Sequence, residues 1–378
     1  MTFPAGGTED QRLRVGLVTP SYAPKIGGVE AHVEQLAHGL STLGCEVTVF
    51  TQADHGDSSG GSTTSEGGVD IRRFADITRS RRFQVAPSLV LSLRRCAPQL
   101  DVIHAHSFHG APALAAAVAT SRPFFFTPHY HGVGHTSLAR AAHLLYDPVA
   151  SLIFRRSAAV ICVSDAEATL LSHDYPRWGS RITIIPNGVD HDALLAAEAY
   201  PVDLPVVLVA GRIEPYKQVD RVVEAMSHLS DRMQLVVVGD GTARADVERL
   251  ASKTSGGAKI SFLGRIETTE VRRWQRTATV AVSLSRHEAF GLVLAEAVAA
   301  GAAVIASDIE AHREVASTAG GSVQLVDPDI SAVDLGVEIQ RMVSIPRNPA
   351  NESSTLSWSN VAERTLQLYR DVPARGDR

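Results

Sequence analysis

Short, almost wholly apolar runs alternate along this chain with longer stretches whose apolar residues recur every three or four positions. That is the pattern of strands buried on both faces and separated by amphipathic helices. Residues 12–19 (Arg-Leu-Arg-Val-Gly-Leu-Val-Thr) predict a first strand, 28–43 a helix and 46–50 a second strand. A strand-helix-strand unit of this kind requires a parallel sheet. Further strands are expected at 102–104, 124–127, 160–163 and 182–185, with helices near 111–120 and 137–156. Residues 54–68, rich in Gly, Ser, Thr and Asp, read as a loop or a disordered tip. After a turn-rich, polar stretch at 186–205 the alternation begins again, with strands at 206–210, 234–238, 260–262, 280–284 and 303–306 and helices between them. Residues 358–372 form one more amphipathic helix.

The chain has 378 residues, more than a single hydrophobic core usually serves, so the repeated pattern is read as two domains. At 44% hydrophobic and 20% charged residues the composition is that of an ordinary globular protein. No apolar run reaches the ~18 residues that span a bilayer. The first ten residues show no basic segment followed by an apolar one, so no secretory leader is expected and the cytoplasm is the expected location. Cys45, Cys96 and Cys162 are odd in number and far apart, which fits reduced thiols. A net charge of -5 argues against a nucleic-acid partner. Only Lys25, Lys217, Lys253 and Lys259 are lysines, so 36 basic residues less 4 leaves 32 arginines. That bias looks like a GC-rich, bacterial genome, and it makes a lysine inside a motif noticeable.

Three segments carry chemistry. Glu288 and Glu296 lie eight positions apart around a glycine-containing segment, Ala289-Phe290-Gly291-Leu292, that opens an apolar helix. One acid is then in a loop and the other about two turns deeper, with unpaired backbone N–H groups between them. This suits a ligand with hydroxyls at both ends and an anion in the middle, the shape of a nucleotide sugar. Gly211-Arg212 ends a strand and Lys217 opens the next helix, so two cations converge above the sheet, where a diphosphate is the natural guest. Lys25-Ile26-Gly27-Gly28-Val29-Glu30, in the first strand-to-helix turn, lets a ligand approach a helix N-terminus closely. It is not a Gly-x-Gly-x-x-Gly fingerprint, which weakens a nicotinamide-dehydrogenase reading.

In this order and register the segments resemble the retaining glycosyltransferases of the GT4 family (glycosyl transferases group 1). The resemblance implies a GT-B fold of the α/β class, two Rossmann-like doubly wound domains facing across a cleft. The expected divisions are an acceptor-binding domain over 1–190, a nucleotide-sugar-binding domain over 191–355, and a final helix and tail over 356–378, the helix returning to the first domain. It also implies transfer of a sugar from UDP or GDP to an acceptor with retention, without a metal or other cofactor. In the residues that match, the amides of Gly27 and Gly28 touch the donor phosphate while Lys25 and Glu30 face the acceptor. Arg212 and Lys217 neutralise the diphosphate, aided by the N–H groups of Phe290, Gly291 and Leu292. The base lies against the turns at Gly241 and at Arg265-Ile266, Glu296 binds ribose and Glu288 faces the transferred sugar. His129, in Thr127-Pro128-His129, contacts that sugar near the reacting carbon, with His131 as the alternative, and His106 or His109 lines the acceptor side. Val163-Ser164 and Pro186-Asn187-Gly188-Val189-Asp190 match the segments leading to the hinge, where Asn187 faces the cleft and Asp190 is structural. The chain departs from the pattern at Ser307-Asp308-Ile309-Glu310-Ala311-His312-Arg313-Glu314, where the family usually has a glycine pair.

Seven histidines crowd residues 104–143: His104, His106, His109, His129, His131, His135 and His143. His104-Ala-His106 and His129-Tyr-His131 each offer a metal ion two imidazoles. Against this, no Asp or Glu lies between Asp101 and Asp147, and residues two apart on a strand are taken to face opposite ways, so no metal site is expected. A GT-B epimerase or sugar phosphorylase would share both sheets and the phosphate cations. A membrane-surface glycolipid mannosyltransferase is a further alternative, because Arg72, Arg73, Arg79, Arg81, Arg82, Arg94 and Arg95 form a basic stretch that suits anionic lipid at the inner membrane face. The base, sugar, acceptor and oligomeric state are left open.

Overall fold

The computed structural model describes residues 12–25, 27–53, 62–75, 86–108, 110–132, 137–229, 232–254, 259–319, 321–345 and 356–372. The first half contains β1 (Arg14–Val18), α1 (Gly28–Thr42), β2 (Glu46–Gln52), β3 (Thr63–Glu66), β4 (Val69–Phe74), α2 (Pro87–Cys96), β5 (Val102–His106), α3 (Ala111–Ala119), β6 (Phe124–Thr127), α4 (Ser137–Arg156), β7 (Ala159–Cys162), α5 (Asp165–Asp174) and β8 (Ile182–Ile184). A short helix, α6 (His191–Ala196), lies in the connection. The second half runs β9 (Val206–Ala210), α7 (Val219–Met226), β10 (Gln234–Val238), α8 (Arg244–Lys253), β11 (Lys259–Gly264), α9 (Thr268–Thr277), β12 (Val280–Ser283), α10 (Leu292–Ala299), β13 (Ala303–Ser307), α11 (Glu310–Thr318), β14 (Val323–Val326), α12 (Ala332–Val343) and α13 (Trp358–Asp371).

Two sheets result, one of eight strands in the order β3-β4-β2-β1-β5-β6-β7-β8 and one of six in the order β11-β10-β9-β12-β13-β14. Every pairing is parallel except β3 with β4. Central strands such as β6 (Phe-Phe-Phe-Thr) and β13 are buried throughout, because helices cover both faces of each sheet. In both sheets the order reverses beside the first strand, at β1/β5 and at β9/β12. Loops leaving the carboxyl ends of those strands open a crevice there.

Part of the stretch expected as loop or disordered tip, 63–66, is a strand instead. It turns at Gly67-Gly68 and pairs antiparallel with β4. All four of its residues are exposed, so an edge strand of this kind has no apolar periodicity to betray it. Residues 54–61 of that stretch lie outside the described residues. The strands β4 and β14 were not anticipated either, being partly polar.

The lobes are joined twice. Val189 pairs with Ser357, and a Cβ on Gly188 would lie 2.4 Å from the Trp358 backbone nitrogen, so the two crossing strands of chain touch. From that crossing α13 runs back along α1, burying Trp358, Val361, Leu366 and Tyr369 in the core of the first lobe. Arg272 of α9 reaches Asp190 at 2.8 Å, and Ser164, at the start of α5, donates its hydroxyl to the Ala289 carbonyl.

Candidate active site

The second lobe supplies fixed charge. Beyond β9 the chain turns at Gly211, and Arg212 donates from Nη2 to the Tyr216 hydroxyl at 3.0 Å. Lys217 ends the short turn over residues 215–217, its Nζ 5.6 Å from the centre of the Tyr216 ring. It forms an ion pair with Glu288, and each side chain is only 20% exposed. Burial pushes the Glu288 carboxyl up, but the ammonium of Lys217 and its hydrogen bond, with smaller help from His312 and Ser285, outweigh this and hold it below the usual range. Glu288 is therefore an anion with its counter-charge in place.

Gly291 precedes α10 in the left-handed region, at a φ of 96°, which turns the chain from the Glu288 loop into the helix. A Cβ there would lie 3.2 Å from Cδ2 of His312. Among the described residues no acceptor is found for the N–H groups of Phe290, Gly291 or Leu292, so the positive end of α10 is open. Glu296, deeper in the same helix, accepts from Nε2 of Gln275 at 2.8 Å. Burial raises its carboxyl in spite of that bond. The two acids thus flank one helix terminus, one paired with a cation and the other with an amide.

The turns proposed for the base lie beside this group. A Cβ on Gly239 would meet the Gly211 carbonyl oxygen at 1.9 Å and one on Gly241 the Ile213 oxygen at 2.2 Å, so backbone packing alone demands glycine at 241. Arg265 is exposed, 3.7 Å from Asp240, and Ile266 is half-buried.

The first lobe supplies imidazoles and a glycine turn. A cleft of about 240 Å³ is walled by Gly28, Glu30, His129 and His131 on one side and by Arg212 on the other. A Cβ on Gly28 would meet nothing within 4 Å, whereas one on Gly27 would strike the Glu30 carboxylate, which itself accepts from Ser21. His131 is exposed, its Nδ1 3.3 Å from the His129 carbonyl. His129 has a φ of 50°, turning its ring inward, and the amide of the next residue, Tyr130, donates to the buried carboxylate of Glu167. Glu167 also accepts from the Val163 amide at 2.6 Å, and burial pushes its carboxyl up to about 8 in spite of both bonds. Lys25 is half-buried and does not line the cleft, and His109 lies outside the described residues.

Two expectations about the histidines need correction. Residues two apart on a strand share a face, and His104 and His106 do so, their ring centres 4.2 Å apart. The orientation argument against a metal site therefore fails. His106 is wholly buried behind His129 and is not part of the cleft lining.

His32, which the motif reading passed over, belongs to the same group: it is buried on α1 with Nδ1 2.7 Å from Oδ1 of Asn187. Its only sequence signal is its position one turn beyond Gly28. His312, in the segment that departs from the family pattern, is fully buried against Gly291, with Nδ1 2.9 Å from the Ser307 carbonyl. That segment touches the other lobe as well, since Glu314 accepts from the Ala166 amide at 3.3 Å.

Two doubly wound lobes, with a paired Lys-Glu and an open helix terminus facing a glycine turn and a histidine across a cleft, define a GT-B glycosyltransferase, here a hexosyltransferase. The chain belongs to glycosyltransferase family 4. Residues 26–193 match the profile described as Glycosyltransferase Family 4, and residues 190–353 that described as Glycosyl transferases group 1. It is 30% identical to the phosphatidyl-myo-inositol mannosyltransferase of Mycobacterium tuberculosis, across 96% of this chain and 98% of that one. It is 27% identical to the D-inositol 3-phosphate glycosyltransferase of Xylanimonas cellulosilytica, across 92% and 93%. Among solved structures, sucrose-phosphate synthase from Thermosynechococcus elongatus superposes with a TM-score of 0.76 at 23% identity, covering 95% of this chain and 98% of that one. Anabaena HepE in complex with UDP and glucose superposes at 0.75 with 18% identity, covering 96% and 100%. At these identities the likeness to solved structures is one of fold.

Proposed function

We propose that the enzyme transfers a hexose from a UDP- or GDP-sugar to a hydroxyl acceptor with retention at the anomeric carbon and without a metal ion. The observation that carries this reading is the Lys217–Glu288 pair beside the open end of α10. It is a cation in place for a diphosphate and an anion in place for sugar hydroxyls, each held by the other until a donor enters.

In this scheme the diphosphate lies against Arg212, Lys217 and the amides of Phe290, Gly291 and Leu292, with the Gly27-Gly28 turn closing on it from the opposite lobe. Lys217 exchanges Glu288 for phosphate oxygens, and Glu288 is released to the sugar. Glu296 takes the ribose hydroxyls, and the base rests against the turns at Gly241 and Arg265-Ile266. His129, whose imidazole burial keeps neutral, contacts the sugar beside the reacting carbon without repelling the positive charge that develops there. The acceptor oxygen attacks from the face the diphosphate leaves. As the new carbon–oxygen bond forms and the bond to phosphate breaks, the departing phosphate oxygen takes the acceptor's proton. The protein supplies position and charge, and no covalent intermediate is needed.

A panel of UDP- and GDP-sugars scored by thermal shift tests the donor, since a ligand bound only to the folded state raises the melting temperature. NMR of the product's anomeric proton tests the stereochemistry. An inverted product, or donor consumed with no second substrate as an epimerase would do, defeats the reading.

A lipid-linked acceptor is a second reading, favoured by the phosphatidyl-myo-inositol mannosyltransferase likeness and by α2, where Leu91, Arg94 and Arg95 are exposed together. Arg72 and Arg73 are less available: Arg72 reaches Cys96 Sγ at 2.8 Å, and Arg73 donates to the Ala23 carbonyl at 2.6 Å. Arg79, Arg81 and Arg82 lie outside the described residues. Among the described residues no helix is long and apolar enough to cross a membrane, so such contact would be peripheral. Co-sedimentation with anionic but not neutral liposomes is the expected result.

A further inference from the structure

His32 on α1, His104 and His106 on β5, and His129 just beyond β6 form one buried cluster behind the cleft. His104 uses both ring nitrogens inside the fold, Nδ1 lying 2.6 Å from the Tyr369 hydroxyl and Nε2 2.8 Å from Thr127 Oγ1. The other three differ. Asn187 Oδ1 can only accept, so the Nδ1 of His32 that meets it carries the proton and Nε2 carries a lone pair. His106 is fully buried with neither nitrogen partnered among the described residues, and Nε2 of His129 is buried and unpartnered as well. Buried polar atoms without partners are rare, and here they converge. One nitrogen from each of the three rings lies within 4.8 Å of the other two. The ring centres are 5.3, 4.8 and 5.7 Å apart for the pairs 32–106, 32–129 and 106–129.

We propose that His32, His106 and His129 form a binding site for a divalent transition-metal cation of the zinc type. An all-imidazole set suits zinc, copper or nickel and not magnesium or calcium. Each nitrogen has to draw inward by less than about 1 Å to reach Zn–N bonds of ~2.0–2.1 Å. Burial holds all three rings below the usual imidazole range, so their lone pairs are free at neutral pH. Asn187 fixes the tautomer and the orientation of His32 from behind, the part that outer partners play at metal sites. His129 lines the cleft, so the fourth position is reachable from there by water or hydroxide.

The ion is not a cofactor of the transfer, because Arg212, Lys217 and the end of α10 already supply the charge that a diphosphate requires. It places positive charge behind the His129 ring that lines the cleft, on the side where the sugar becomes positive, so the site is inhibitory. Binding stands on the histidine geometry alone, whereas inhibition rests on the role proposed above for His129.

The test is titration of the chelator-treated full chain with Zn2+ by calorimetry, and with Co2+ by visible absorption, where tetrahedral coordination gives strong bands. One saturable site is expected. It should weaken by at least about 100-fold in His106→Phe and in His129→Asn, which keeps the left-handed backbone, and about tenfold in Asn187→Ala. His173→Ala, at an exposed imidazole, and Cys96→Ser, at a half-buried thiol, should leave it unchanged. If His106→Phe does not fold, His129→Asn carries the test. Absence of a saturable site, as when water alone bridges the nitrogens, or wild-type affinity in His129→Asn, overturns the proposal. Zinc should also raise the donor KM reversibly with EDTA. Bound zinc with unchanged kinetics overturns the inhibitory consequence and leaves the site standing.

Discussion

Across the cleft the second lobe presents fixed charge, Lys217 paired with Glu288 and Arg212 resting on Tyr216, whereas the first lobe presents imidazoles that burial keeps neutral. In the reaction proposed above, the difference follows from what each wall has to meet. A diphosphate carries formal charge through the whole reaction, so its wall can be charged from the start with counter-ions in place. The transferred sugar is neutral when it binds and becomes positive only as its bond to phosphate breaks, so a cation on its side would oppose the reaction. One wall is organised by pairing and the other by desolvation.

The charged wall is broken most directly by Lys217→Ala. Removing one preorganised charge that faces a departing oxyanion typically costs about 10²–10³-fold in kcat. Lys217 buries no core contact, but its loss leaves the poorly exposed Glu288 without its counter-ion, so the melting temperature should fall, though by far less than turnover does. Turnover near that of the parent, measured with saturating donor, would remove Lys217 from the mechanism. Unfolding comparable to the loss of activity would make the ion pair structural.

The neutral wall is sharpened by acid. His32 has its pKa lowered by burial to about 4, against 6.5 in the unfolded chain. Its contribution to stability is complete above pH 6.5 and is lost as the pH falls toward 4, because over that window only the unfolded chain takes up the proton. The loss amounts to ~3 kcal/mol over the window for this one residue. His104, His106 and His129 shift in the same direction and add to it. The charged wall behaves differently: the carboxyl of Glu288 lies below its unfolded value, so its contribution persists until the pH falls under about 4.5. Denaturant unfolding between pH 7 and 4.5 therefore reports the imidazole wall together with the opposing protonation of the raised carboxyls Glu167 and Glu296, and the difference between the parent and a variant isolates one group. A His32→Gln chain should show a shallower slope by about one proton. An unchanged slope in that variant would mean that His32 is charged in the folded protein.

The same contrast explains how much of the molecule was legible in the sequence. The sheets were, because strands covered on both faces are apolar throughout; the polar edge strand at 63–66 and the mixed strand at 323–326 were not. In the charged wall, Glu288, Gly291 and Glu296 sit within one turn and helix, so spacing alone set them around a helix terminus. Lys217 reaches Glu288 from a different strand-end loop, and the cation motif signalled it independently. The imidazole wall has no such local signature. His32, His106, His129 and Asn187 come from four separate elements and meet only because β1, β5 and β6 are neighbours in the sheet and the Asn187 segment crosses behind α1. Reading His104 and His106 onto opposite faces compounded the difficulty, since it dissolved the cluster that a strand's period of two would have suggested. His312 escaped for a related reason: its segment lacks the expected glycine pair, yet the fold still brings it against Gly291.

The smallest expected effect concerns the edge of the charged wall. The turn at Arg265 is proposed to hold the nucleobase, and the Arg265 side chain is 65% exposed, 3.7 Å from an Asp240 that is itself 40% exposed. An exposed pair of that kind contributes between nothing and about 1 kcal/mol. Arg265→Ala leaves the backbone amide and carbonyl where they are, so donor affinity should fall by less than about fivefold and kcat should not change. A tenfold or greater rise in donor KM with either UDP- or GDP-sugars would show that the guanidinium itself reads the base. The charged wall would then extend past the diphosphate to the base, and the division between a wall that binds by charge and one that binds by shape would have to be drawn further along the donor.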